Sequence, residues 1–156
     1  MEKIWLKSYP EGVDPEIDVN EYTSINDVLN RSVKKFADKP AYENLGKKLS
    51  YAELDELTAQ FASYLTHVAK LEKGDRIAIM LPNLLQYPVA LFGALRAGLT
   101  VVNTNPLYTD RELEHQLKDS GAKAIVILEN FAHTLADVIE QTPIQTVITT
   151  QIADLV

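Results

Sequence analysis

The chain has 156 residues, 46% of them apolar, and 15 basic against 22 acidic side chains give it a net charge of −7. That length and composition describe a globular domain with one sizeable core. The acidic balance, with no basic patch, argues against nucleic acid as a partner, because phosphate neutralisation supplies most of that affinity. The absence of cysteine removes disulfides, thiolate catalysis and cysteine-ligated zinc.

The opening stretch MEKIWLKSYPEGVDPEIDVNEY has no apolar run long enough for a signal peptide and is broken by Pro10, Gly12 and Pro15. It predicts an extended arm over residues 1–23, with Ile4, Trp5, Leu6 and Tyr9 as anchors onto the body, and a cytoplasmic location. From Ser24 the pattern turns helical, with Ile25, Val28, Leu29, Val33 and Phe36 on one face, and it stops before Pro40. PAYENLGKKLSY then predicts a hairpin near residues 41–50, with strands Ala41 to Leu45 and Lys48 to Ser50 and a turn at Gly46 and Lys47. Ser50 and Glu53 have capping-box spacing, so a helix from Tyr51 to about Val68 follows.

A turn at Lys73 to Asp75 leads to an apolar strand, Arg76 to Leu81, ended by Pro82, with Asn83 as the expected cap of the next helix. Pro88 falls in the first turns of that helix, which implies a late start or a kink. The segment LLQYPVALFGALRAGLTVV, Leu84 to Val102, approaches the length of a membrane span. It carries Gln86, Pro88 and Arg96, and Gly98 sits where a helix would end, so it reads as a buried helix followed by a buried strand.

The alternation continues with strand Thr100 to Asn103, helix Asp110 to Asp119, strand Ala124 to Leu128, helix Phe131 to about Glu140 and strand Thr146 to Thr149. Thr109 and Glu112 have the spacing of a second capping box, and Gly98 and Gly121 fall at helix C-caps. Strands rich in Val, Ile, Leu and Ala, separated by helices, predict an α/β fold whose sheet is predominantly parallel and flanked by helices on both faces. The crossovers should be right-handed. VITTQIADLV runs from a strand to the final residue with no obvious helix or cap, which gives the expectation of a chain cut from something longer.

Common chemistries are missing. There is no G-x-G-x-x-G and no G-x-x-x-x-G-K phosphate loop, and no G-x-S-x-G nucleophile turn. His67, His115 and His133 lack ligand spacing, and the Glu112–His115 pair reads as surface electrostatics, so no metal site is expected. A phosphoryl-accepting receiver needs carboxylates at strand ends, where the chain offers Pro82, Asn103 and Glu129. In parallel sheets ligands bind beyond the carboxyl ends of the strands, which singles out NTNPLYT, PNLLQY and LENFAH. For NTNPLYT the structural reading is a turn at Asn105-Pro106, a cap at Thr109 and a packed Tyr108.

Taken together, three stretches resemble the adenylate-forming superfamily: LSYAELDELTAQFASYL from Leu49, KGDRIAIMLPN from Lys73, and ALRAGLTVVNTNPLYTDRELEHQLKDSGAKAIV from Ala94. Leu49 to Leu54 is similar to that family's motif of leucine, threonine or serine, tyrosine, any residue, glutamate and leucine. Leu95 to Gly98 resembles its motif of leucine, lysine or arginine, alanine and glycine. The longer string from Pro82 to Thr109 looks closest to bacterial long-chain fatty acid:CoA ligases.

The resemblance implies an enzyme that joins a long-chain fatty acid to AMP and then to coenzyme A, using ATP and magnesium. It also implies that residues 24–156 are the first part of the large AMP-binding domain. The family's phosphate loop ending in lysine, its acidic ribose-binding motif and its catalytic lysine do not occur in this sequence. The chain alone is therefore expected to hold no catalytic residue, to bind none of these cofactors tightly and to be inactive. Asn105 and Tyr108 are candidates for lining the substrate cleft, and His133 for the coenzyme A entrance. Long acyl substrates add an expectation of peripheral contact with the inner membrane, and an interrupted domain with exposed apolar surface is expected to self-associate. The reading left open beside this one is a free-standing α/β binding module without catalysis.

Overall fold

The computed structural model describes residues 2–156. Its first helix, α1 (Ile25–Phe36), starts where Ser24 Oγ accepts from the Asp27 N–H at 3.1 Å. An antiparallel hairpin follows, β1 (Pro40–Asn44) with β2 (Lys47–Ser50). Its turn is Leu45-Gly46, one residue earlier than the sequence pattern suggested. Both residues have positive φ, 50° and 82°, as the tight turn that matches strand twist requires at its two central positions. Gly46 takes the second of these without steric cost, whereas Leu45 holds the first with its side chain exposed.

Helix α2 (Tyr51–His67) begins at the predicted capping box. Ser50 Oγ accepts from the Glu53 N–H, and the Glu53 carboxylate accepts from the Ser50 N–H at 2.8 Å. These bonds, with the Ser50 hydroxyl, hold the exposed Glu53 carboxyl below its usual range. Leu29, Leu49, Leu54 and Leu85 are buried together, so α1, the hairpin and α2 share a small core with the chain ahead of the next helix.

Four strands, β3 (Arg76–Met80), β4 (Thr100–Asn103), β5 (Ala124–Leu128) and β6 (Thr146–Thr150), form a parallel sheet in the order β4-β3-β5-β6. Alternate residues of β3 and β5 face opposite cores, as a period of two requires. Ile77, Ile79, Ala124 and Val126 pack with Leu65 of α2 and with Ala90 and Ala94 of α3 (Gln86–Arg96). Ala78, Met80, Ile125 and Ile127 pack on the other face with Leu113 and Leu117 of α4 (Asp110–Ser120) and Leu135 of α5 (Ala132–Ala136). The α/β expectation, parallel and covered on both faces, holds.

Leu84 to Val102 divides into α3 and β4, and no helix among the described residues is long and apolar enough to cross a membrane. Helix α3 starts late, placing Pro88 in its first turn, where the missing N–H costs no helical bond. Asn83 does not cap it. The residue at that position is Leu85, with no side-chain bond, and the Asn83 carbonyl instead accepts from Asn44 Nδ2 at 3.2 Å.

The predicted helix from Phe131 to Glu140 is broken. Only Ala132–Ala136 is α-helical, between the 3-10 turns Glu129–Phe131 and Ile139–Gln141. No side chain caps it, and the Val138 N–H bonds to the Leu135 carbonyl three residues back. The chain after β6 also departs from expectation by making the 3-10 turn Ile152–Leu155. Asp154 closes that turn, accepting from the Thr150 hydroxyl and the Gln151 N–H, both at 2.8 Å.

The arm is not uniformly extended. Ile4–Ser8 forms a 3-10 turn, and of the four expected anchors Ile4, Trp5 and Tyr9 remain 65%, 49% and 41% exposed, leaving only Leu6 half-buried.

Candidate functional site

All four strands of the sheet are parallel, so their carboxyl ends share one edge. The connections run from β3 to β4 in one direction and from β5 to β6 in the other, so strand order reverses between β3 and β5. In open α/β sheets this is where ligands bind. Leu81 to Leu85 and the turn Glu129–Phe131 flank it.

Several neutral hydrogen bonds tie helices and strands together at this edge. Asn103, the last residue of β4, receives two: Tyr87 Oη of α3 donates to its Oδ1 at 2.9 Å, and Gln116 Nε2 of α4 donates to its carbonyl at 3.0 Å. The Thr104 N–H then donates to the Ile79 carbonyl at 3.0 Å, keeping the chain against β3 for one more residue. At the far side, buried Gln86 donates from Nε2 to the Gln151 carbonyl at 2.7 Å, fastening the turn after β6 to the start of α3. An ion pair lies at the opposite edge. Lys123 Nζ stands 2.6 Å from Asp75 Oδ1, and this pairing, with the Glu72 N–H, holds the Asp75 carboxyl below its usual range.

Asn105 and Tyr108 lie in the loop after β4. Asn105 is exposed, its Oδ1 accepting from the Leu107 N–H at 3.0 Å and its carbonyl from the Tyr108 N–H at 3.1 Å. Asparagine commonly closes a turn on itself in this way. Tyr108 is half-buried against the core beneath α4. Thr109 then starts α4, with the Glu112 carboxylate accepting from its N–H and hydroxyl at 2.9 and 2.8 Å. His133 is exposed on α5, which follows β5 after the turn Glu129–Phe131.

Two depressions open near this edge. One, of about 220 Å³, is almost wholly apolar, with Phe61, Val89, Ala90, Val126 and Ile148 in its walls. The other, of about 320 Å³, lies between the hairpin and the loop after β3, lined by Tyr42, Asn44, Asn83 and Tyr87 among others. Burial, then the neighbouring Tyr51 and Tyr87, raises the Tyr42 hydroxyl above the usual tyrosine range. Sequence reasoning reached Tyr87 only as the last residue of PNLLQY and did not single out Gln116. They meet Asn103 only through the packing of α3 and α4 on opposite faces, and no spacing along the chain announces that. Among the described residues, no three His, Asp or Glu side chains group as a metal site.

The comparisons with known proteins agree with this architecture. AMP-binding enzymes match residues 29–155. A long-chain-fatty-acid–CoA ligase of Escherichia coli O6:H1 (strain CFT073) is 55% identical over 154 residues, covering 99% of this chain and 28% of that protein. One from Yersinia pestis is 54% identical over the same length, 27% of that protein. The chain thus spans little more than a quarter of the relatives it matches. The crystal structure of a long-chain-fatty-acid-CoA ligase from Archaeoglobus fulgidus superposes with a TM-score of 0.74 at 26% identity, covering 80% of this chain and 27% of that one. With 127 consecutive positions of its 156 matched, including both capping boxes and every strand of the sheet, the chain belongs to the AMP-binding enzyme family.

Proposed function

We propose that this chain is the opening part of the AMP-binding domain of a long-chain fatty acid:CoA ligase. The identity of 55% across 154 residues carries the reading, and it favours a ligase over a free-standing binding module. In the proposed reaction the fatty acid carboxylate attacks the α-phosphorus of ATP, and the bond to the β-phosphate breaks, leaving acyl-adenylate and pyrophosphate. The coenzyme A sulfur then attacks the acyl carbon, AMP departs, and the thiol proton passes to solvent. Magnesium, when bound, would neutralise phosphate charge.

We place the nucleotide and the metal outside the residues of this chain: it has no phosphate loop, and among the described residues no three acidic or imidazole side chains group together. No chemical step is assigned to them. Their part is structural, fixing the direction in which the loops leave the sheet. Asn105 and Tyr108 serve that part through the turn and the packed ring described above, with a cleft-lining contact from Tyr108 as the finer reading. His133 is proposed as a coenzyme A entrance contact, which its exposure allows. Peripheral contact with a membrane belongs to the same proposal.

The test is ATP–pyrophosphate exchange with hexadecanoate by a protein that contains this sequence and the remaining length of its relatives. Exchange that depends on the fatty acid, and thioester formation when coenzyme A is added, are expected. Exchange supported only by some other carboxylic acid would reassign the substrate. Exchange by the 156-residue chain alone would overturn the structural role given to it. In the longer protein, Tyr108→Ala with unchanged KM for the fatty acid but a lowered Tm keeps Tyr108 as support, whereas a raised KM makes it a wall of the cleft.

A further inference from the structure

Three amide side chains share an uncommon arrangement. Gln116 Nε2 donates to the Asn103 carbonyl at 3.0 Å, Asn44 Nδ2 to the Asn83 carbonyl at 3.2 Å, and Asn26 Nδ2 to the Leu95 carbonyl at 3.0 Å. In each the amide oxygen is buried and has no donor among the described residues. A carbonyl only accepts, so the nitrogen must face it and the oxygen is turned into the protein. The three oxygens are enclosed by these residues themselves, out of reach of a donor from outside.

That arrangement lowers stability. A buried acceptor gives up its bond to water and gains none in its place. At Gln116 and Asn44 the bond made by the nitrogen offsets little of this, because Asn103 and Asn83 are exposed and water can serve their carbonyls. A hydrocarbon side chain of similar size avoids the unpaired oxygen altogether. What the two amides add is direction. Asn83 lies in the loop that leaves β3, and Asn103 is where the chain leaves β4, so each bond fixes an exit at the carboxyl edge of the sheet. Asn26 is the comparison within the molecule. Its bond ties α1 to the last turn of α3, at the opposite edge, where the chain turns toward the start of β4.

We propose that Gln116 and Asn44 are positioning residues, which hold the two loops of the carboxyl edge in the geometry that substrate meets and lower the stability of the fold in doing so. The substrate in this statement rests on the ligase reading; the fixing of the loops and the loss of stability stand without it.

The test uses the longer protein with Gln116→Met, Asn44→Leu and Asn26→Leu made singly. Gln116→Met should leave Tm unchanged or raised, since the unpaired oxygen is gone. Across residues 104–109 the Thr104 N–H donates to the Ile79 carbonyl and the Tyr108 N–H to that of Asn105, and amide exchange there should quicken about fivefold or more. The kcat/KM for pyrophosphate exchange with hexadecanoate should fall about tenfold. Asn44→Leu should act in the same way on residues 81–85. Asn26→Leu removes a third unpaired oxygen and should leave amide exchange at both loops and kcat/KM as they were. A lowered Tm for Gln116→Met makes the residue a support of the fold and overturns the proposal. So do loops whose amides exchange no faster, an unchanged kcat/KM in folded Gln116→Met and Asn44→Leu, or equal loosening of both loops by Asn26→Leu. A longer protein that exchanges no pyrophosphate even when unsubstituted refutes the ligase reading instead, and Tm with amide exchange then decide this one.

Discussion

Helices α4 and α5 both follow a parallel strand, pack on the same face of the sheet and return the chain to its next strand, yet α4 holds eleven residues and α5 five. Both bury leucine: Leu113 and Leu117 in α4, Leu135 in α5. The difference lies at the ends. α4 opens on a capping box at Thr109 and Glu112 and closes on Gly121, whose φ of 62° turns the chain out of the helix while its N–H bonds back to Leu117. α5 has no side-chain cap, and the chain beyond it tightens into 3-10 geometry. Burial sets where a helix lies, and its end groups set how long it runs.

The largest expected effect tests the shared part of that contrast. Leu117→Ala and Leu135→Ala should each lower unfolding stability by about 2–5 kcal/mol in urea titrations, the usual cost of a buried leucine. A clear gap between the two would mean that helix length, not burial alone, governs core support. Next comes Gly121→Val, which forces a side chain into a left-handed backbone and sets a β-carbon 2.9 Å from Arg76 Nη2. A loss of about 1–3 kcal/mol is expected. Thr109→Ala should cost about 1 kcal/mol by removing the cap, whereas Asn130→Ala, just ahead of α5, should stay within about 0.5 kcal/mol because no cap is lost. Equal losses would erase the distinction.

The smallest effect is a pH dependence. Bonds from the Thr109 N–H and then its hydroxyl hold the exposed Glu112 carboxyl below its usual range. The folded value is thus lower than the unfolded one. The contribution of Glu112 is full above the ordinary carboxylate range and fades as pH falls through the depressed folded value. Glu112→Gln should flatten the acid side of the stability profile. An unchanged acid limb would remove the carboxylate from the account of how α4 begins.

The same contrast explains what could be read along the chain. Ser50 with Glu53, Thr109 with Glu112, and Gly121 are local signals with one physical meaning, and the helix ends fall where they point. The apolar runs of β3 and β5 likewise disclose a sheet covered on both faces. The sequence pattern overextends α5 because Leu135 and Val138 continue its apolar spacing, and a pattern does not reveal that no side chain will cap the ends. The hairpin turn moved by one residue because either Leu45-Gly46 or Gly46-Lys47 puts glycine at a central position, and only pairing decides between them. The turn at Asn105 and the packed ring of Tyr108 are legible from a strand end followed by Asn-Pro. The Tyr87–Asn103–Gln116 contact is not, since it exists only once both helical layers are in place.

That contact has a mechanical side. Asn103 takes a bond from α3 on one face of the sheet and from α4 on the other. Sliding either helix along the sheet would break its bond to the end of β4. The two layers are thereby pinned at one point, like plates held by a single rivet.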